Sequence, residues 1–159
     1  MSKHHVAAAA VALALFAAAA TALAGNATAQ KTYLLRATLD TRHETPPAKD
    51  AQGASGVFTA TLTLSGKKGT FLWKLTFKNL SGPAIAAHVH IGAPGKAGPI
   101  AIPLCGRCTA AAHGSYTGPI GANPTLLKAL LHGGAYANVH TKKNPNGEIR
   151  GQIKVTGTR

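Results

Sequence analysis

The chain has 159 residues and carries 17 Lys and Arg against four Asp and Glu, a formal charge of +13 at pH 7 with histidine neutral. The four acids, Asp40, Glu44, Asp50 and Glu148, are scattered and offer no paired-carboxylate hydrolytic site. The basic excess suits an anionic neighbour or serves solubility alone, and the scattered Lys and Arg, without an RNA- or DNA-binding motif, argue against nucleic acid.

The chain opens with Lys3, His4 and His5, followed by the uncharged apolar run "VAAAAVALALFAAAATALA". Ala27-Thr28-Ala29 then supplies a small-x-small cleavage site, the pattern of a secretory signal peptide over residues 1–29. The alternative is an uncleaved anchor, since the run is nearly long enough to span a bilayer. Alanine is weakly apolar and the cleavage signal is good, which favours removal. Residues 30–159 are then expected to form a single periplasmic or secreted domain with no stable membrane span.

Period-two alternation marks strands with one buried face. In "KTYLLRATLD", Tyr33, Leu35, Ala37 and Leu39 share a face, and a long polar loop, residues 45–55, follows. Phe58, Ala60, Leu62 and Leu64 alternate with threonines, and Phe71, Trp73, Leu75 and Phe77 with Lys74, Thr76 and Lys78. "SGKKG" between these two segments reads as a hairpin turn. In "IAAHVHIG", Ile85, Ala87, Val89 and Ile91 point one way and Ala86, His88 and His90 the other. "SYTGPI" is a candidate short strand. "NPTLLKALLHGG" is the one helix, with Asn123 as cap, Pro124 in the first turn and Gly133 at the end. "AYANVHT" and "GEIRGQIKVTG" are the last strands; Ile149, Ile153 and Val155 are expected inside, and Glu148, Arg150, Gln152 and Lys154 outside. Seven or eight short strands indicate an all-β, antiparallel Greek-key sandwich or barrel.

Cys105 and Cys108 in "LCGRCTA" read as a structural disulfide in an oxidising compartment. A redox C-x-x-C opens a helix after a strand, and "TAAAHGSYTG" is a poor helix start.

Three stretches resemble the CHRD domain family: "LDTRHETPP", "AAHVHIGAPGKAGPI" and "LLHGGAYANVHTKKNPNGEIRGQI". The last is the most specific, with Gly-Gly, an aromatic strand, Asn-x-His-Thr and then Asn-x-Gly-Glu-Ile-Arg-Gly. The resemblance covers about Tyr33 to Val155. It implies an extracytoplasmic β-sandwich module, but no defined biochemical activity. The cysteine pair is not an expected family feature.

His88 and His90, at i and i+2 on one strand, project on the same side about 6.5–7 Å apart along it. On a second strand, Tyr136, Asn138 and His140 look the same way. If the two strands are neighbours, His88, His90 and His140 converge and can bind copper or zinc, whose nitrogen ligands lie about 2.0–2.1 Å from the ion. His113 or His132 could be a fourth ligand. Glu148 is a candidate second-shell acceptor orienting an imidazole, against a plain ion pair with Arg150. The alternative is that the histidines are ordinary strand residues bonded to neighbouring strands or loops. The tripeptide "HVH" and the expected architecture are similar to Cu/Zn superoxide dismutases, but the long loop with further histidines and an aspartate is missing. Blue copper fits worse, because it needs a Cys thiolate and usually a Met, whereas the cysteines read as paired and the only Met is Met1. Three functions follow: a binding module that holds copper or zinc, a dismutase-like redox enzyme, or a metal-free adhesion or matrix module. The implied partner is an anionic cell-surface polymer or another envelope protein.

Overall fold

The computed structural model describes residues 29–159; the expected signal peptide lies, apart from Ala29, outside them. Ten elements build the barrel: β1 (Lys31–Asp40), β2 (Ser55–Ser65), β3 (Lys68–Lys78), β4 (Ala84–Ile91), β5 (Ile100–Gly106), β6 (Ala111–Gly118), α1 (Pro124–Leu131), β7 (Ala135–Thr141), β8 (Ile149–Gln152) and β9 (Lys154–Thr158). Two single 3-10 turns, Thr41–His43 and Ile120–Ala122, complete the set. The described pairings are antiparallel, in the order β5-β4-β7-β8-β1-β2-β3-β6, with β9 also on β1. The sheet curls into a nearly closed barrel, as the all-β expectation required.

The alternation read from the sequence is the reason for the curl. Leu35, Leu39, Phe58, Leu62, Phe71, Leu75, Val89, Val139 and Ile153 are all buried in one core. Each strand can bury its apolar face only if the sheet wraps around it. The Phe58 and Phe71 rings stack at 6.1 Å between centroids at the centre. The helix follows its end signals. The Asn123 side chain accepts from the Leu126 N–H at 3.0 Å, and Gly133 takes φ +74° just beyond the last turn.

Three expectations need correction. Residues 100–106 form a full strand, β5, that the Gly- and Pro-rich surroundings concealed. "GEIRGQIKVTG" is two strands, because the ladder with β7 ends at Gln152 and from Lys154 the chain pairs along β1. Glu148 and Arg150, expected outside, are 0 % and 1 % exposed. The cause is a second layer. All seven residues of β7 are buried, because loops close over its outer face as the core closes over its inner one. Those loops are residues 44–54, 92–99 and 142–148. The first of them overlaps the expected polar loop, residues 45–55, where Ala51 and Ala54 are buried, and Glu44 just before that loop is buried too.

Candidate metal centre

β4 and β7 are neighbours, and their register sets His88 opposite Asn138, His90 opposite Tyr136 and Ala86 opposite His140. Three imidazoles therefore meet on the outer side of the barrel, under the loop layer. Their nearest ligand nitrogens all lie within 4.8 Å of one another. His90 and His140 are buried and His88 is half-buried, so the cluster is sheltered rather than open to solvent.

Each ring has a defined hydrogen-bond state. His90 Nδ1 donates to the Gly98 carbonyl at 2.9 Å, and His140 Nδ1 donates to the Pro145 carbonyl at 2.9 Å. A carbonyl can only accept, so the proton is on Nδ1 in both rings and Nε2 presents a lone pair inward. His140 Nε2 takes a hydrogen bond from His88 Nδ1 at 3.0 Å. His90 Nε2 is buried and has no partner among the described residues. Two nitrogens that share a tetrahedral ion stand about 3.4 Å apart, so the His88–His140 pair is already close to that spacing. An ion between them would take the place of that hydrogen, with the His88 proton moving to Nε2 as the ring changes tautomer.

Burial disfavours charge on all three rings. It lowers the His88 pKa, with His90 adding repulsion. It lowers that of His90, against the Gly98 carbonyl and with help from Arg150. It brings His140 down to about 4, against the Pro145 carbonyl and with help from the other two rings. Neutral imidazole is the ligating form, so the cluster is ready for a cation at neutral pH.

The surrounding layer fixes this geometry. The Tyr136 ring stacks on His90 at 4.8 Å and 6°, and the Arg150 guanidinium sits 3.4 Å from the Tyr136 centroid. Arg150 also donates to the carbonyls of Ala93 and Lys96, both at 2.9 Å, and the Tyr136 hydroxyl accepts from Gly98 N–H at 3.2 Å. Arg150 thus holds down the loop whose Gly98 carbonyl orients His90. Only glycine fits at 98: a Cβ there would stand 1.7 Å from the Ile91 carbonyl oxygen.

Glu148 does not orient an imidazole, nor does it pair with Arg150. Its carboxylate accepts from Ser81 N–H and Oγ and from Thr141 Oγ1, each at 2.5 Å, and from Asn144 Nδ2 at 3.0 Å. Burial alone would raise its pKa, but these donors together lower it. The ionised group pins the 142–148 turn, which carries the Pro145 carbonyl used by His140. Its effect on the cluster passes through backbone. His113 lies on β6 opposite Lys74 and His132 at the end of α1; neither joins the cluster. Cys105 and Cys108 sit at disulfide distance, Cα to Cα 5.4 Å, at the end of β5 rather than at a helix start.

The sequence reading missed Glu44, Asn138 and Arg150 as parts of the site. Asn138 Nδ2 donates to Glu44 Oε2 at 2.6 Å, and Thr45 N–H donates to Oε1 at 3.1 Å. Gly147, at φ +134°, leaves room for this pair, since a Cβ there would overlap both side chains. Burial raises the Glu44 pKa to about 7, although the Thr45 N–H, the Arg150 charge and the Asn138 amide favour ionisation. The only available signals were Asn138 on the histidine face of its strand and Glu44 inside the "LDTRHETPP" stretch.

Fold and site together define an antiparallel β-barrel with a histidine cluster between its wall and an outer polar layer. A family model described as the CHRD domain matches residues 35–153, and the chain belongs to that family. Comparisons with curated proteins and with solved structures gave no significant match.

Proposed function

We propose that the chain is an exported CHRD-type binding module, residues 30–159, that holds one copper or zinc ion through His88, His90 and His140. The observation that carries this reading is His90 Nε2, a buried lone pair with no partner among the described residues, within a cluster of neutral imidazoles. Leaving such an atom unsatisfied costs about 1–3 kcal/mol, and a cation would remove that cost. The ligands would be His90 Nε2, His140 Nε2 and His88 Nδ1. Rigid strands hold all three, and the carbonyls of Gly98 and Pro145 raise ligand basicity. Three imidazoles suit zinc or copper and leave one coordination position open.

The test is calorimetric titration of the purified protein with Zn²⁺ and Cu²⁺. One ion per chain is expected, with little proton release at neutral pH, because the three rings are already neutral there. The His88→Ala, His140→Ala pair is expected to lose at least a hundredfold in affinity with an unchanged circular dichroism spectrum. Binding as tight as wild type in that pair would sink the assignment. The open position keeps a dismutase-type redox use as the second reading, and a superoxide assay on copper-loaded protein separates the two. Absence of any metal binding would leave the metal-free adhesion or matrix module. In each case export places the partner outside the cytoplasm, as an anionic surface polymer or another envelope protein.

A further inference from the structure

The face of the barrel away from the histidines carries a regular array. Paired residues in a sheet share a face, so the register of four ladders can be read straight across the strands. Lys154 of β9 lies opposite Arg36 of β1, Arg36 opposite Thr59, Thr59 opposite Lys74 and Lys74 opposite His113. Leu35, Phe58, Ala60, Trp73 and Leu75, beside them in sequence, are buried, so the row points outward. Lys154, Arg36, Lys74 and His113 are exposed. At about 4.8 Å per strand, the row is about 19 Å long. A second row, Thr32, Thr63, Thr70 and Thr117, runs parallel to it and is made entirely of hydroxyls. Between the two rows lie Leu34, Thr61, Leu72 and Ser115.

Among the described residues, no acid neutralises the basic row. Glu44 and Glu148 are buried. Asp50 pairs with Lys143, and Asp40, at the end of β1, is held by Arg42 and His43. A shallow cleft of 440 Å³ runs along the row past Arg36, Thr59 and Lys74, with Leu34 and Leu72 on its wall. Beyond Arg36 a second cleft of 300 Å³ continues to Lys154 and His43.

We infer that this face is a binding site for a linear acidic polysaccharide, laid across the strands along the Lys154–Arg36–Thr59–Lys74–His113 row. Charge complementarity supplies the attraction. The straightness of the row supplies the fit, because an extended chain laid across the strands passes Lys154, Arg36, Lys74 and His113 in turn. The threonines answer sugar hydroxyls. Leu34 and Leu72, the latter 53 % exposed, offer apolar contact to the C–H face of a ring. Other polyanions fit less well. Single-stranded nucleic acid needs aromatic stacking platforms, and Phe71 and Trp73 are turned into the core. A membrane surface needs a broader apolar face than two leucines.

The test uses polygalacturonate and dextran sulfate as probes, with neutral dextran, single-stranded DNA and anionic phosphatidylglycerol vesicles alongside. An Arg36→Glu, Lys74→Glu, Lys154→Glu variant is compared with a Lys67→Glu, Lys128→Glu, Lys142→Glu variant of equal charge change at exposed positions off the row. The row variant is expected to bind both acidic polysaccharides about 30-fold more weakly or worse, with a shallower salt dependence by two or three counterions. The control variant should stay within about threefold of wild type. Equal losses in both variants would reduce the effect to net charge and overturn the site. So would equal or tighter binding of DNA, vesicles or neutral dextran, or no loss in the row variant. Zinc titration of the row variant should match wild type, so this inference and the metal reading fail separately.

Discussion

Replacing Glu44 by glutamine is expected to remove a pH-dependent loss of stability from the metal-free protein. Glu44 is 5 % exposed and its pKa stands at about 7, against an ordinary value of 4.5. Below pH 4.5 the carboxyl is protonated in both folded and unfolded chains. Above that, the unfolded chain ionises while the folded protein keeps its proton until about pH 7. Stability therefore falls as pH rises through this window, by at most about 1.4 kcal/mol per pH unit and about 3 kcal/mol in total. Glutamine carries no charge, and its carbonyl oxygen can keep accepting from Asn138 Nδ2. His140 acts with the opposite sign: its pKa is lowered from 6.5 to about 4, so its contribution is present above 6.5 and is lost as pH falls. Comparing the two proteins at each pH cancels that contribution. Urea unfolding with chelator present, from pH 4.5 to 8, is the assay. The variant should gain on wild type by a few tenths of a kcal/mol at the acid end and by about 3 kcal/mol at pH 8. A difference that stays constant across the range, or a variant less stable at neutral pH, would refute the reasoning.

Two further perturbations probe the layer and the edge of the sheet. Gly98→Ala must move the loop by about 1.5 Å to relieve the overlap with Ile91, which breaks its bonds to His90 and Tyr136. A loss of about 2–4 kcal/mol in urea unfolding is expected, with zinc affinity in calorimetry weaker by at least tenfold; wild-type values in both would show that the loop does not hold the ring. Replacing Cys105 and Cys108 together by serine opens a loop of very short span, so thermal unfolding should register about 2 kcal/mol or less. The metal titration of that variant should be unchanged, and a lost metal site would bring the cysteines into the histidine chemistry.

Strand positions were largely legible in the sequence, because a one-sided core leaves alternation in every strand that faces it. β1 to β4 show this directly, with Leu35, Phe58, Trp73 and Val89 inside and Arg36, Thr59, Lys74 and His88 outside. The helix was legible for a local reason as well, since Asn123, Pro124 and Gly133 act within a turn of where they stand. β5 was not. Pro103 and the neighbouring glycines carry loop chemistry, and only pairing with β4 keeps that segment extended. The inward-outward rule also failed where a second layer covers the sheet. Arg150 and Glu148 alternate like surface residues and are buried all the same.

By itself, the sequence determined a β-fold of CHRD type, a strongly basic chain and a pair of histidines on one side of a strand. These properties are local or additive: they depend on neighbours two to four positions away or on a sum of charges. Only the tertiary structure decided that His140 joins that pair, that Glu44 keeps its proton near neutrality, and that Lys154, Arg36, Lys74 and His113 fall in line. Each of these rests on which strand lies beside which and on what covers it. That is set by closing one shared core, a property of the whole barrel that no short stretch of chain contains.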